Sequence, residues 1–80
     1  MEKQPKVLND KNLNCSQKSI KTIDEIPYVF KNVEYLNLSR NMIASLSGIE
    51  QFKKTKIIDL SNNSVINIYY KRKFYILCQD

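Results

Sequence analysis

Asp24 and Glu25 stand side by side, and paired carboxylates are what a general acid and a general base need in order to share a reaction. Both fall just ahead of Pro27, where acidic side chains favour the start of a helical turn, and that role accounts for them without catalysis. Little else in the chain could drive a reaction. It has no histidine, one glycine and two cysteines, with no phosphate-cradling loop and no metal-ligand spacing. An enzyme is not expected, and neither a cofactor nor a bound metal is implied. Cys15 falls on an apolar alternation, where a free thiol behaves as a small hydrophobe. Cys78 lies in the tail with no second pair to complete a metal site. A disulfide between the two would have to join opposite ends of the chain, and none is expected.

What these residues are mounted on is a repeat. Leu13-x-Cys15, Leu36-x-Leu38 and Ile58-x-Leu60 are followed at near-constant offset by Ile20 and Ile23, Ile43 and Leu46, and Val65 and Ile68. The step from Cys15 to Leu38 is 23 residues and that from Leu38 to Leu60 is 22, so the chain reads as stacked short units rather than one irregular core. The alternation at Leu36 and Leu38 sends both side chains to one face of a short strand and Asn37 to the other. Apolar residues then recur every three positions, at Ile43, Leu46, Ile49 and Phe52. One such coil cannot bury its own interior, whereas parallel neighbours close a continuous core between them.

Written from Val33, the central unit runs Val33, Leu36, Leu38, Asn41, Ile43, Leu46, Ile49, Phe52, and this resembles a leucine-rich repeat at every defining position. The third unit keeps Ile58, Leu60, Asn63, Val65, Ile68 and Phe74 but has Thr55 in place of the first apolar residue and Lys71 where Ile49 stood. The first keeps Leu13, Cys15, Ile20, Ile23 and Ile26 but has Lys18 where the others have asparagine. The resemblance spans roughly residues 12 to 68. It implies an α/β-type solenoid, a short right-handed superhelix with about three parallel strands on the concave face and turns or short 3-10 helices on the convex face. The length of the units, and the outer segment Ser45-Leu46-Ser47-Gly48-Ile49-Glu50, look like the intracellular subclass typified by protein phosphatase 1 regulators and ciliary or centrosomal scaffolds.

Asn41 and Asn63 sit three residues beyond their strand leucines, at a sharp turn where backbone groups need partners that a buried carboxamide can supply. In the family such asparagines form a ladder between neighbouring turns. Lys18 cannot accept a hydrogen bond, so it is expected to point outward and to mark a modified first unit. The expected organisation is a polar N-terminal flank over residues 1–11 that covers the first strand loosely, and repeats over 12–76 divided as 12–32, 33–54 and 55–76. A tail at 77–80 ends before a fourth Leu-x-Leu can form. Two accounts of the segment from Ile68 to Cys78 stay open: an irregular cap, or the exposed end of a shortened array.

Asn, Lys, Ile and Tyr fill 35 of the 80 positions, a coding bias that removes any functional reading from isoleucine in leucine positions or from scattered lysine. No stretch approaches the roughly 18 apolar residues of a membrane span, and the first residues lack the apolar run of a secretory signal. A cytoplasmic location is expected, with nuclear, ciliary or centrosomal placement as variants. The triplets Asn14-Cys15-Ser16, Asn37-Leu38-Ser39 and Asn62-Asn63-Ser64 fit the glycosylation pattern, but two of them arise from the repeat itself and would carry a glycan on the inner wall.

That wall is the candidate site. Register gives four columns across it: Lys11, Glu34 and Lys56; Asn12, Tyr35 and Ile57; Asn14, Asn37 and Asp59; Gln17, Arg40 and Asn62. Glu34, Tyr35, Asn37, Arg40, Lys56, Ile57 and Asp59 are the candidate partner-binding residues, since Tyr, Arg and large aliphatics dominate binding energy when they cluster. The expected partner is another protein, met by a non-enzymatic scaffold or regulatory module. The rival expectation comes from the net charge of +5. Lys53, Lys54 and Lys56, with Lys31 as the counterpart of Lys54 and a further basic run at Lys71, Arg72 and Lys73, would form a basic edge for nucleic acid. Aromatics for base stacking are not interleaved on the inner wall, where only Tyr35 projects.

Overall fold

The computed structural model describes residues 6–7, 11–65 and 75–77. Leu13, Leu36 and Ile58 each sit at the centre of a three-residue strand whose flanking side chains are half-buried: β2 (Asn12–Asn14), β3 (Tyr35–Asn37) and β4 (Ile57–Asp59). These strands pair in parallel, Leu13 opposite Leu36 and Leu36 opposite Ile58. Alternation does what it requires: Leu36 and Leu38 are fully buried while Asn37 is half-exposed. The short antiparallel strand β1 (Lys6–Val7) lies along the outer edge of β2, and β5 (Tyr75–Leu77) along that of β4, giving one five-stranded sheet in sequence order.

β5 comes earlier than the repeat spacing would place a fourth strand. Tyr75–Leu77 pairs in parallel with β4, Ile58 opposite Ile76, a return of 18 residues instead of 22. An unpaired strand edge exposes a row of donors and acceptors, and Tyr-Ile-Leu is a strongly strand-forming triplet, so the shorter return satisfies β4. Ile76 packs partly buried against the core. The N-terminal flank likewise contributes a paired strand. The expectations for Ile68, Lys71, Arg72, Lys73, Phe74 and Cys78 fall outside the described residues.

The return segments carry three 3-10 turns, Ile23–Glu25, Tyr28–Phe30 and Ile49–Gln51. Inward residues three apart match the three residues per turn of that helix. Ile20, Ile23 and Ile26, then Ile43, Leu46, Ile49 and Phe52, are all buried and join the strand leucines in one cluster. Gly48 takes φ +100°, and a Cβ there would come within 2.7 Å of Asp24 Oδ1, so glycine is what lets the first two return segments touch. No helix among the described residues is long and apolar enough to cross a membrane.

Turns after the strands hold the units together. Asn41 Oδ1 accepts the backbone N–H groups of Lys18 (2.9 Å) and Ile20 (3.0 Å), while its Nδ2 donates to the carbonyls of Cys15 (2.9 Å) and Leu38 (2.9 Å). Asn63 repeats this one unit on, accepting from Ile43 N–H at 2.9 Å and donating to the Leu38 carbonyl at 2.8 Å. Each asparagine therefore serves the unit before its own, which is why Lys18 can replace asparagine in the first. Lys18 is half-buried rather than simply outward-facing. Thr55 is buried too, and its hydroxyl donates to the Val33 carbonyl at 2.8 Å. What reads as a defect in the apolar pattern is an extra tie between units. No described buried side-chain nitrogen or oxygen lacks a partner.

Candidate functional site

The open face of the sheet is built by the same hydrogen bonds that stack the units. Glu34 and Tyr35 N–H groups both donate to the Lys11 carbonyl (2.8 and 2.9 Å), and Lys56 and Ile57 N–H groups to that of Glu34 (2.7 and 3.1 Å). Beyond the strands the ladder continues, with Cys15 N–H on the Asn37 carbonyl and Leu38 N–H on that of Asp59, each at 2.8 Å, and Arg40 N–H on that of Ser61 at 2.8 Å. Pairing sets Asn12, Tyr35 and Ile57 in one row and Asn14, Asn37 and Asp59 in the next.

Side chains in these rows differ in what they are free to do. Asn37 Oδ1 accepts the Ser39 N–H (3.0 Å) and hydroxyl (2.8 Å), Asn14 Oδ1 does the same with Ser16 at 2.9 and 2.7 Å, and Asp59 Oδ1 accepts the Ser61 N–H at 3.0 Å. These are turns closed by an Asx side chain on the residue two further on. Sequence reasoning missed them. The signal is present, since an Asn/Asp-x-Ser triplet recurs at the end of β2, β3 and β4, but at Asn14 and Asn37 it coincides with the glycosylation pattern.

Glu34 and Lys56 meet across the face, Nζ to Oε1 at 3.7 Å, with Lys56 exposed and Glu34 half-buried. Tyr35 is half-buried, and burial followed by the nearby Asp59 carboxylate pushes its phenol upward, so Tyr35 remains a neutral donor. Gln17, Arg40 and Asn62 occupy one repeated position with φ 54°, 58° and 61°, the left-handed region that asparagine tolerates and arginine resists. All three are exposed. The face thus sets half-buried Tyr35 beside Ile57 and the Glu34–Lys56 pair at the strand entry, with Arg40 at the turn beyond the strand and Asn37 and Asp59 engaged in their own turns.

The carboxylate pair is engaged in local structure. Glu25 Oε2 accepts the N–H groups of Lys21 (2.9 Å) and Thr22 (3.0 Å) at the start of the 3-10 turn, and Asp24 abuts Gly48. Burial pushes the Cys15 thiol up to about 12, partly offset by the charge of Lys18; the thiol stays protonated and is a poor nucleophile. Among the described residues no group of three metal-binding side chains comes together.

The basic edge is also rearranged. Val33 N–H bonds the Phe30 carbonyl and Thr55 N–H that of Phe52, both at 3.3 Å, so Phe30 matches Phe52 and Lys31 is the counterpart of Lys53, not of Lys54. No family model matches the chain, and no curated protein or solved structure matches it.

Proposed function

We propose that the chain is a short leucine-rich repeat solenoid, wound as a right-handed superhelix, that performs no chemistry and binds another protein through the open face of its sheet. The observation that carries this reading is the register of β2, β3 and β4, which aligns Tyr35 with Ile57 and Asn37 with Asp59 on a frame locked by the ladder of Asn41 and Asn63. A frame fixed in advance loses little order when a partner docks, so a few outward side chains suffice for affinity. An aromatic and an aliphatic on the strands, with a charge pair at the strand entry and an arginine at the turn beyond, is the composition of a protein-binding patch. The Ser45–Glu50 segment favours an intracellular scaffold or regulatory subunit of the phosphatase-regulator or ciliary and centrosomal kind.

The test is the double variant Tyr35→Ala/Arg40→Ala in affinity capture quantified by mass spectrometry. Proteins retained by the native chain are expected to fall at least tenfold while the circular dichroism spectrum stays the same. Equal retention by the variant rejects the sheet face as the binding surface.

A further inference from the structure

The return segments of the first two units bury matched residues but differ in length at one point. Ile26 and Ile49 are matched, since each donates its N–H to the carbonyl three residues back, on Ile23 and Leu46, at 3.1 and 3.0 Å. Phe30 and Phe52 are matched by their bonds to Val33 and Thr55. Three residues, Pro27, Tyr28 and Val29, therefore fill in the first unit the space that Glu50 and Gln51 fill in the second. The extra residue of the 23-residue step is housed here, and it pushes Tyr28 and Val29 out to 61% and 76% exposure.

The fold does not require apolar side chains at this place, because Glu50 and Gln51 bridge the same inward residues in the second unit. Single exposed hydrophobics need no explanation, but adjacent ones in a position that the repeat itself makes polar do. Lysines lie toward one end of the bulge, and Glu50 holds the equivalent place on the neighbouring turn. Lys31 Nζ lies 4.7 Å over the centre of the Tyr28 ring, a cation–π contact that holds the ring at the surface. The bond from the Thr55 hydroxyl to Val33 sets the two turns side by side, so Lys53 and Lys54 of the neighbouring turn follow the register of Lys31 and Asn32, just past the bulge. Lys53 and Lys54 are both exposed.

We infer that the Pro27–Val29 bulge, with Lys31, Lys53 and Lys54, is a second docking surface for a peptide segment that pairs aliphatic or aromatic side chains with carboxylates. The apolar residues of the peptide cover Tyr28 and Val29, and its carboxylates meet the lysines. Nucleic acid fits less well, because Val29 offers nothing to a base or a phosphate and the only ring at the bulge is already covered on one face by Lys31.

Selection of twelve-residue peptides from a random display library on the immobilised chain tests this. The expected winners combine Leu, Ile, Phe or Tyr with Asp or Glu. Their affinity falls at least tenfold on Tyr28→Glu/Val29→Gln, which copies the chain's own second unit, and at least fivefold on Lys53→Glu/Lys54→Glu, with the second loss shrinking as salt rises. Winners lacking acidic residues, or indifferent to both variants, overturn the proposal. Winners that depend on Tyr35 and Arg40 instead also overturn it while leaving the sheet-face reading intact. A single-stranded RNA oligonucleotide that binds the native chain, is lost on Lys53→Glu/Lys54→Glu and ignores Tyr28→Glu/Val29→Gln would make the edge a nucleic-acid footprint and overturn it as well.

Discussion

Asn37 and Asn41 lie four residues apart in one unit and have opposite reach. Asn37 sits on the open face and bonds only two residues ahead, to Ser39. Asn41 is buried and ties its unit to groups 21 to 26 residues earlier, at Ile20, Lys18 and Cys15. The same side chain shapes a local turn in one region and stacks the molecule in the other. Cohesion between units is therefore concentrated in the turn interior, and the open face is left to vary without loss of fold.

The strongest test of that division is a matched pair of substitutions. Asn41→Ala strands a buried N–H, a part-buried N–H and a buried carbonyl of the neighbouring unit, the buried ones each roughly 1–3 kcal/mol when unsatisfied, so a loss of about 3 kcal/mol or more in urea unfolding is expected. Asn37→Ala removes two part-buried local bonds whose donors stay within reach of water and costs about 0.5–1 kcal/mol. Equal losses would refute the contrast.

Cys15 reports on the same interior through pH. Its thiol is held at about 12 in the folded chain, against an ordinary value of 9.0. The folded state thus keeps its proton where the unfolded state has lost it, and the stabilising contribution is full below pH 9 and fades as pH rises toward 12. Roughly 2 kcal/mol should disappear between pH 9 and pH 11, and Cys15→Ala should flatten that slope relative to the native chain. A native slope no steeper than the variant's would mean that the first unit opens readily.

Thr55 separates pattern from structure more sharply. The repeat pattern asks for an apolar residue there and treats Thr55→Val as a repair. Its hydroxyl, however, donates to the buried Val33 carbonyl, so the substitution is expected to cost about 1–2 kcal/mol. A stabilised Thr55→Val chain would vindicate the pattern over the bond.

The repeat spacing was legible because inward positions at periods of two and three are dictated by burial alone: Leu13, Leu36 and Ile58 could be placed from residue type. The columns of the open face followed from the same register. Thr55, Lys18 and the Asx turns were not legible, because hydrogen bonds between units depend on which backbone groups the turn leaves unpaired, and residue type does not reveal that. β5 was missed for a related reason. A fixed period anticipates equal returns, whereas an open strand edge accepts whichever strand-forming segment reaches it.

The smallest expected effect concerns Arg40, where the open face and the turn geometry compete. Its backbone has φ 58°, a conformation shared with Asn62 one unit on, and a left-handed arginine costs more than a left-handed asparagine. Arg40→Asn should therefore raise stability by a few tenths to about 1 kcal/mol, seen as a rise of a few degrees in Tm. If Arg40 is kept for binding, that gain comes with weaker capture of partner proteins, so stability and affinity move in opposite directions in one variant. A stabilised chain with undiminished capture would remove Arg40 from the surface while leaving Tyr35 and Ile57 on it. A destabilised chain would show that the guanidinium supports the fold, and the division between a cohesive interior and a permissive face would have to be redrawn at this position.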